Sequence, residues 1–175
     1  QGETLTVDAA SFTDANGIDA FSYQWLRDGT DISGAKSATY TPAQADVGAA
    51  ISVRVSYTDV GGTAESITSP ATSSITNVND APTGGITISG TTTQSQVLTL
   101  DTSSLADADG LGTLSYQWLR DGADIAGATS VTYTPAQADV GAAISARVSY
   151  TDGGGTAESI TSSAAGSITN VNDAP

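Results

Sequence analysis

Ser115-Tyr-Gln-Trp-Leu-Arg-Asp-Gly122 decides how this chain is read. Leu114 to Arg120 is a strand-forming run, and Asp121-Gly122 is a tight-turn signal that ends it. The same eight residues stand at Ser22 to Gly29, a shift of 93. Working outward, residues 22–82 return as 115–175: of 61 positions nine differ and 52 are identical. That period is too long for a solenoid repeat and suits a whole β-sandwich domain. Copies kept this alike serve length, valency or a repeated surface better than they serve a single active site.

The flanking sequence supplies further strands. Short alternating runs rich in Val, Ile, Thr and Tyr recur between Gly, Asp and Asn clusters, and no helical period is sustained. In the second copy strands are expected at 86–89, 97–101, 114–120, near Ile125, 130–134 and 143–151. In the run 143–151, Ile144, Ala146, Val148 and Tyr150 share one face. A last strand spans 157–169, with a bulge near 164–166. About seven strands in some ninety residues argue for a two-sheet sandwich. The first copy has no counterpart of 83–93, the opening strand of the second, because Gln1 aligns with Gln94. An open sheet edge is expected there unless a neighbouring chain covers it. The expected fold is all-β, two tandem sandwich domains at 1–79 and 80–175 without disulfides.

Composition narrows the chemistry. The net charge is −14, from 19 acidic residues against Arg27, Lys36, Arg54, Arg120 and Arg147. Such a surface repels phosphate backbones, so neither nucleic acid nor membrane insertion is expected. With no Cys and no His, thiolate metal sites, ordinary zinc sites and serine–imidazole catalysis are excluded. Oxygen ligands remain, and they suit calcium or magnesium.

Three acidic or amide-rich segments recur at the repeat offset: Asp14-Ala-Asn16-Gly17 and Asp107-Ala-Asp109-Gly110, then Asp59 and Asp152, then 77–82 and 170–175. All are also ordinary turn sequences, whose side chains hydrogen-bond local backbone. Glu65 and Glu158 are expected to be exposed or to bridge loops.

Trp25 and Trp118 resemble the buried tryptophan of an immunoglobulin-like domain, and Asp46-Val-Gly48 (Asp139 to Gly141) resembles the Asp-x-Gly turn of that fold. The two cysteines of antibody domains are absent, so apolar residues such as Leu5 and Val53 must fill their space. That fold would bring Asp107, Asp109 and Asp152 to the end where the linker from the first domain arrives. Asn77-Val-Asn79-Asp80-Ala-Pro82 looks like a cadherin interdomain linker, and the whole repeat resembles the extender modules of giant bacterial adhesins secreted by the type I (RTX) route. The resemblance implies a secreted or cell-surface structural repeat, stiffened by Ca2+ at its junctions and carrying an adhesive domain outward. It implicates Asn77, Asn79, Asp80, Asp107, Asp109 and Asp152. It also implies half-sites at Asp14, Asn16 and Asp59 and at Asn170, Asn172 and Asp173. An acidic residue stands in cadherins where this chain has Asn77, and their Leu-Asp-Arg-Glu motif is missing. Neighbouring repeats and lateral self-association are the expected partners. The competing reading is a binding module for sugars or like copies. Catalysis is not expected, because the carboxylates come in duplicate sets on turn motifs.

Overall fold

In the computed structural model, which describes residues 1–10 and 12–172, Asp121 and Gly122 both take positive φ, 48° and 84°. That pair is the two-residue hairpin turn whose twist matches its flanking strands, and Asp28-Gly29 repeats it at 45° and 79°. The described chain is all-β with antiparallel strand pairing. No helix among the described residues is long and apolar enough to cross a membrane. The backbone divides into two compact units, Gln1–Val78 and Asn79–Pro175.

Unit one contains β1 (Leu5–Thr6), β2 (Ile18–Arg27), β3 (Thr30–Asp31), β4 (Thr39–Tyr40), β5 (Ile51–Asp59) and β6 (Ala64–Thr68). Its sheets run β1-β4 and β3-β2-β5-β6. Unit two contains β7 (Thr87–Gly90), β8 (Leu98–Asp101), β9 (Ser115–Arg120), β10 (Ala123–Asp124), β11 (Thr132–Tyr133), β12 (Ile144–Thr151) and β13 (Ala157–Thr161). Its sheets run β11-β8-β7 and β10-β9-β12-β13.

The core of unit two lies between its sheets. Leu98 and Leu100 from one meet Trp118, Ile144, Ala146 and Val148 from the other, together with Ile86, Leu105 and Ile168. The alternation along β12 is obeyed throughout: Ile144, Ala146, Val148 and Tyr150 are buried, while the residues between them are not. Trp118 is fully buried. Its indole N–H donates to the Ser130 carbonyl at 2.8 Å, and its ring stacks on Tyr133 with centroids 5.5 Å apart. Trp25 repeats both contacts, with Ser37 at 2.9 Å and Tyr40 at 5.6 Å. Neither tryptophan is offered to solvent as a sugar platform. A tryptophan satisfied this way contributes packing and one hydrogen bond, and truncating it to Ala costs about 3–5 kcal/mol.

Beside each tryptophan sits a buried charge network that the sequence does not advertise. Asp139 has no exposed surface. It accepts from Arg120 Nε (2.6 Å), Tyr133 Oη (2.6 Å) and the Ala136 N–H (2.7 Å). Asp46 does the same with Arg27, Tyr40 and Ala43. Burial alone would push these carboxyls up, but the tyrosine, backbone and arginine bonds outweigh it and hold both below the usual carboxylate range.

The last strand differs from expectation. β13 ends at Thr161 rather than running to 169. The reason is local: the Ser162 hydroxyl accepts the Ala146 N–H at 3.0 Å, taking the place of a main-chain carbonyl in the ladder. The chain then stays beside β12 only through single bonds, from Ala165 N–H to Ile144 and from Ile168 N–H to Ala142.

Candidate metal centre

The Asp107-Ala-Asp109-Gly110 segment is a self-bonded turn before β9. Asp107 Oδ1 accepts the Asp109 N–H at 2.8 Å, its carbonyl accepts the Gly110 N–H at 3.1 Å, and Gly110 takes φ 91°. A second turn follows β12. There Asp152 Oδ1 accepts the Thr156 N–H at 2.7 Å, and its backbone N–H donates to the Thr156 carbonyl at 2.9 Å. Both segments therefore have the local bonding that turn chemistry alone would give them.

Their placement goes further. The Gly153 N–H donates to the Asp109 carbonyl at 3.0 Å, which locks the second turn onto the first. A Cβ at Gly153 would collide with that same carbonyl, and one at Gly112 would collide with the Thr151 carbonyl. Glycine is thus what allows the two turns to close. In consequence Asp107, Asp109 and Asp152 each bring a carboxylate oxygen within 4.8 Å of the others.

One atom of this cluster is left over. Asp152 is 6% exposed, and its Oδ2 is buried with no hydrogen-bond partner. An anionic oxygen stripped of water and given neither donor nor cation is costly. The cluster is all oxygen, carries three formal negative charges and holds an orphaned buried acceptor, so these residues fit a hard divalent cation. Asp107, Asp109 and Asp152 would hold it. Calcium takes about six to eight oxygens, so water or backbone carbonyls would have to complete the shell.

Neighbouring groups hold the cluster in place. Tyr150, at the end of β12, donates its hydroxyl to Asp107 Oδ2 at 2.6 Å. Burial first, then that bond and the charges of Asp107, Glu158 and Asp152, push the phenol well above its usual range. The Asp80 N–H donates to Asp109 Oδ2 at 2.7 Å, which ties the segment entering unit two to the first turn. The Asn79 amide donates to Glu158 Oε1 at 2.8 Å, so Asn79 meets β13 through Glu158, and Glu158 bridges loops as its position suggested. Sequence reasoning did not assign Tyr150 or Glu158 to the surroundings of the site. The signal was present in the β12 alternation, which puts Tyr150 on the buried face at the strand's end.

The equivalent turns of unit one are arranged differently. Asp14 Oδ1 accepts the Asn16 N–H at 2.7 Å, and Asp59 Oδ1 accepts the Thr63 N–H at 2.7 Å, as in unit two. Asn16 stands where unit two has Asp109, however, and its amide donates to Asp59 Oδ2 at 3.4 Å. The oxygen orphaned in Asp152 is therefore partnered in Asp59. Tyr57 also differs from Tyr150. Its hydroxyl lies 2.6 Å from Glu65 and 3.3 Å from Asp14, and the Glu65 bond is the main reason its pKa is pushed up to about 12. Unit one has two carboxylates and a built-in amide donor at this place; unit two has three carboxylates.

The remaining sequence-predicted residues are dispersed. Asn77 lies in unit one, with its amide oxygen buried and without a hydrogen bond. Asn170 and Asn172 are exposed near the end of the described chain. Asp173 lies outside the described residues. A search of protein-family models and of curated proteins finds no match to this chain.

Proposed function

We propose that this chain is a pair of immunoglobulin-like structural repeats from a secreted, bacterial surface adhesin or filament, and that Ca2+ bound at Asp107, Asp109 and Asp152 stiffens the array. The observation that carries the reading is the buried, unpartnered Asp152 Oδ2 within a three-carboxylate cluster. A cation there satisfies that oxygen and removes the repulsion among the three acids. It also fixes the turns against the Asn79–Asp80 segment that leads into unit two, since Asp80 already bonds Asp109 and Asn79 already bonds Glu158. Stiffening of that segment is what a projecting rod requires. The near-identical repeat, the net charge of −14 and the absence of Cys and His are all consistent with an extracellular spacer that relies on oxygen-bound metal. The reading leaves no role for catalysis.

Bound at a hundred times its dissociation constant, calcium stabilises the unit that holds it by roughly 2.7 kcal/mol. The test is chelation. Removing calcium is expected to lower the melting temperature of one transition and to broaden the distance distribution in small-angle scattering. An unchanged melting curve and scattering profile would refute the proposal.

A further inference from the structure

The open side of unit one is an apolar groove of about 430 Å³. Leu5, Val7, Phe12, Trp25, Val55 and Ile67 line it. β1 pairs with β4 and with no other strand among the described residues. Because the Val7 N–H donates to Ala38 on the β4 side, ladder alternation turns the main-chain groups of Thr6 and Asp8 outward, toward the empty side. Ile67 is 53% exposed. These groups make an unpaired strand edge above exposed core residues.

Unit two shows what fills the same place. There β7 lies against β8 in antiparallel register, with Thr87 opposite Asp101, Ile88 opposite Leu100, Ser89 opposite Thr99 and Gly90 opposite Leu98. Ile86 is buried in the core and Ile88 packs against it. The residues beneath are fully closed: Leu98 and Trp118 have no exposed surface, and Ile160, the counterpart of Ile67, packs onto the cluster. Gly90 is required by the approach, since a Cβ there would meet the Val97 carbonyl.

We infer that the unit-one groove is a strand-acceptor site. Its ligand is an extended segment of the Gly-Ile-Thr-Ile-Ser-Gly type, as in residues 85–90, donated by a further repeat of this kind. The segment enters antiparallel to β1. Its second isoleucine faces Val7, its serine faces Thr6 and its last glycine faces Leu5, the register that β7 holds on β8. Main-chain bonds to Thr6 and Asp8 supply affinity, and the two isoleucines supply selectivity. The site is independent of the cation cluster and stands or falls separately from it.

The experiment titrates a synthetic peptide of residues 83–94 into the whole chain and follows binding by calorimetry and amide chemical shifts. One peptide binds per chain, with shifts concentrated at residues 5–8 and 67–72. An Ile88→Asp peptide binds roughly 30-fold more weakly, the effect of losing one buried isoleucine. Ile67→Lys in the chain weakens binding to a similar degree, and because Ile67 is exposed the variant still folds. Failure to saturate overturns the inference. So does equal binding by the Ile67→Lys chain, which would place the peptide in unit two. A dimer by light scattering that the peptide does not dissociate also overturns it, by assigning the groove to a second copy.

Discussion

Replacing Asp152 with Asn should change stability in opposite directions with and without calcium. The amide oxygen can still accept the Thr156 N–H in the place of Oδ1. The amide nitrogen then takes the position of the orphaned Oδ2 and can donate to the Asp107 or Asp109 carboxylate, as Asn16 donates to Asp59 in unit one. Two unit charges 4.8 Å apart repel by roughly 3 kcal/mol at an effective dielectric of 20. Because Asp107 and Asp109 are half-exposed, solvent screening reduces this to a net relief of about 1 kcal/mol. For a unit of this size that corresponds to a rise of about 4–8 °C in chelator. In saturating calcium the sign reverses, because the variant forfeits the roughly 2.7 kcal/mol that the wild type gains at a hundredfold excess over its dissociation constant. Differential scanning calorimetry in chelator and in calcium reads both. A variant destabilised in chelator, or one that keeps the full calcium gain, would refute the reasoning.

Other consequences follow from the same structure. Asp46 and Asp139 have folded pKa values below their unfolded value of about 3.9. Their stabilisation is complete above that value and is lost as pH falls through the depressed folded values, so urea midpoints should hold near neutrality and drop below about pH 4. Tyr133 is pushed up to about 12, mainly by burial and the Asp139 bond; its share is present below about pH 10 and lost between there and pH 12. Asp139→Asn should cost about 2 kcal/mol, less than a fully buried pair because Arg120 is partly exposed, and should flatten the acid limb of the urea midpoint plotted against pH. Ile67→Ala and Ile160→Ala make a matched pair. The first is expected within about 0.5 kcal/mol of wild type, and the second to cost about 2 kcal/mol, read as urea midpoints.

Much of the strand pattern was legible because local chemistry and global packing agree. The Asp-Gly turns, the 2-residue alternation of β12 and the tryptophan of β9 each point to one arrangement, and the structure adopts it. Where the sequence misleads, a side chain has taken over a backbone role. Ser162 reads as one more strand residue, yet its hydroxyl caps the Ala146 N–H and ends β13. The Arg120–Tyr133–Asp139 network was hidden for another reason: its members lie 19 and 6 positions apart along the chain and meet only once β9 and β11 are placed. At the acidic cluster the sequence names the right turns but ranks the copies equally. The exchange of Asn16 for Asp109 is visible in the alignment of the repeats. That it leaves a bare oxygen in one copy and a partnered one in the other depends on a hydrogen bond between turns some forty residues apart.

The most direct test of the central claim is a calorimetric titration of calcium into the wild-type chain and its Asp152→Asn variant at low ionic strength. Saturable binding that the variant loses, with magnesium a weak competitor, is the predicted result. No saturable heat in the wild type, or the same isotherm in both proteins, would contradict it.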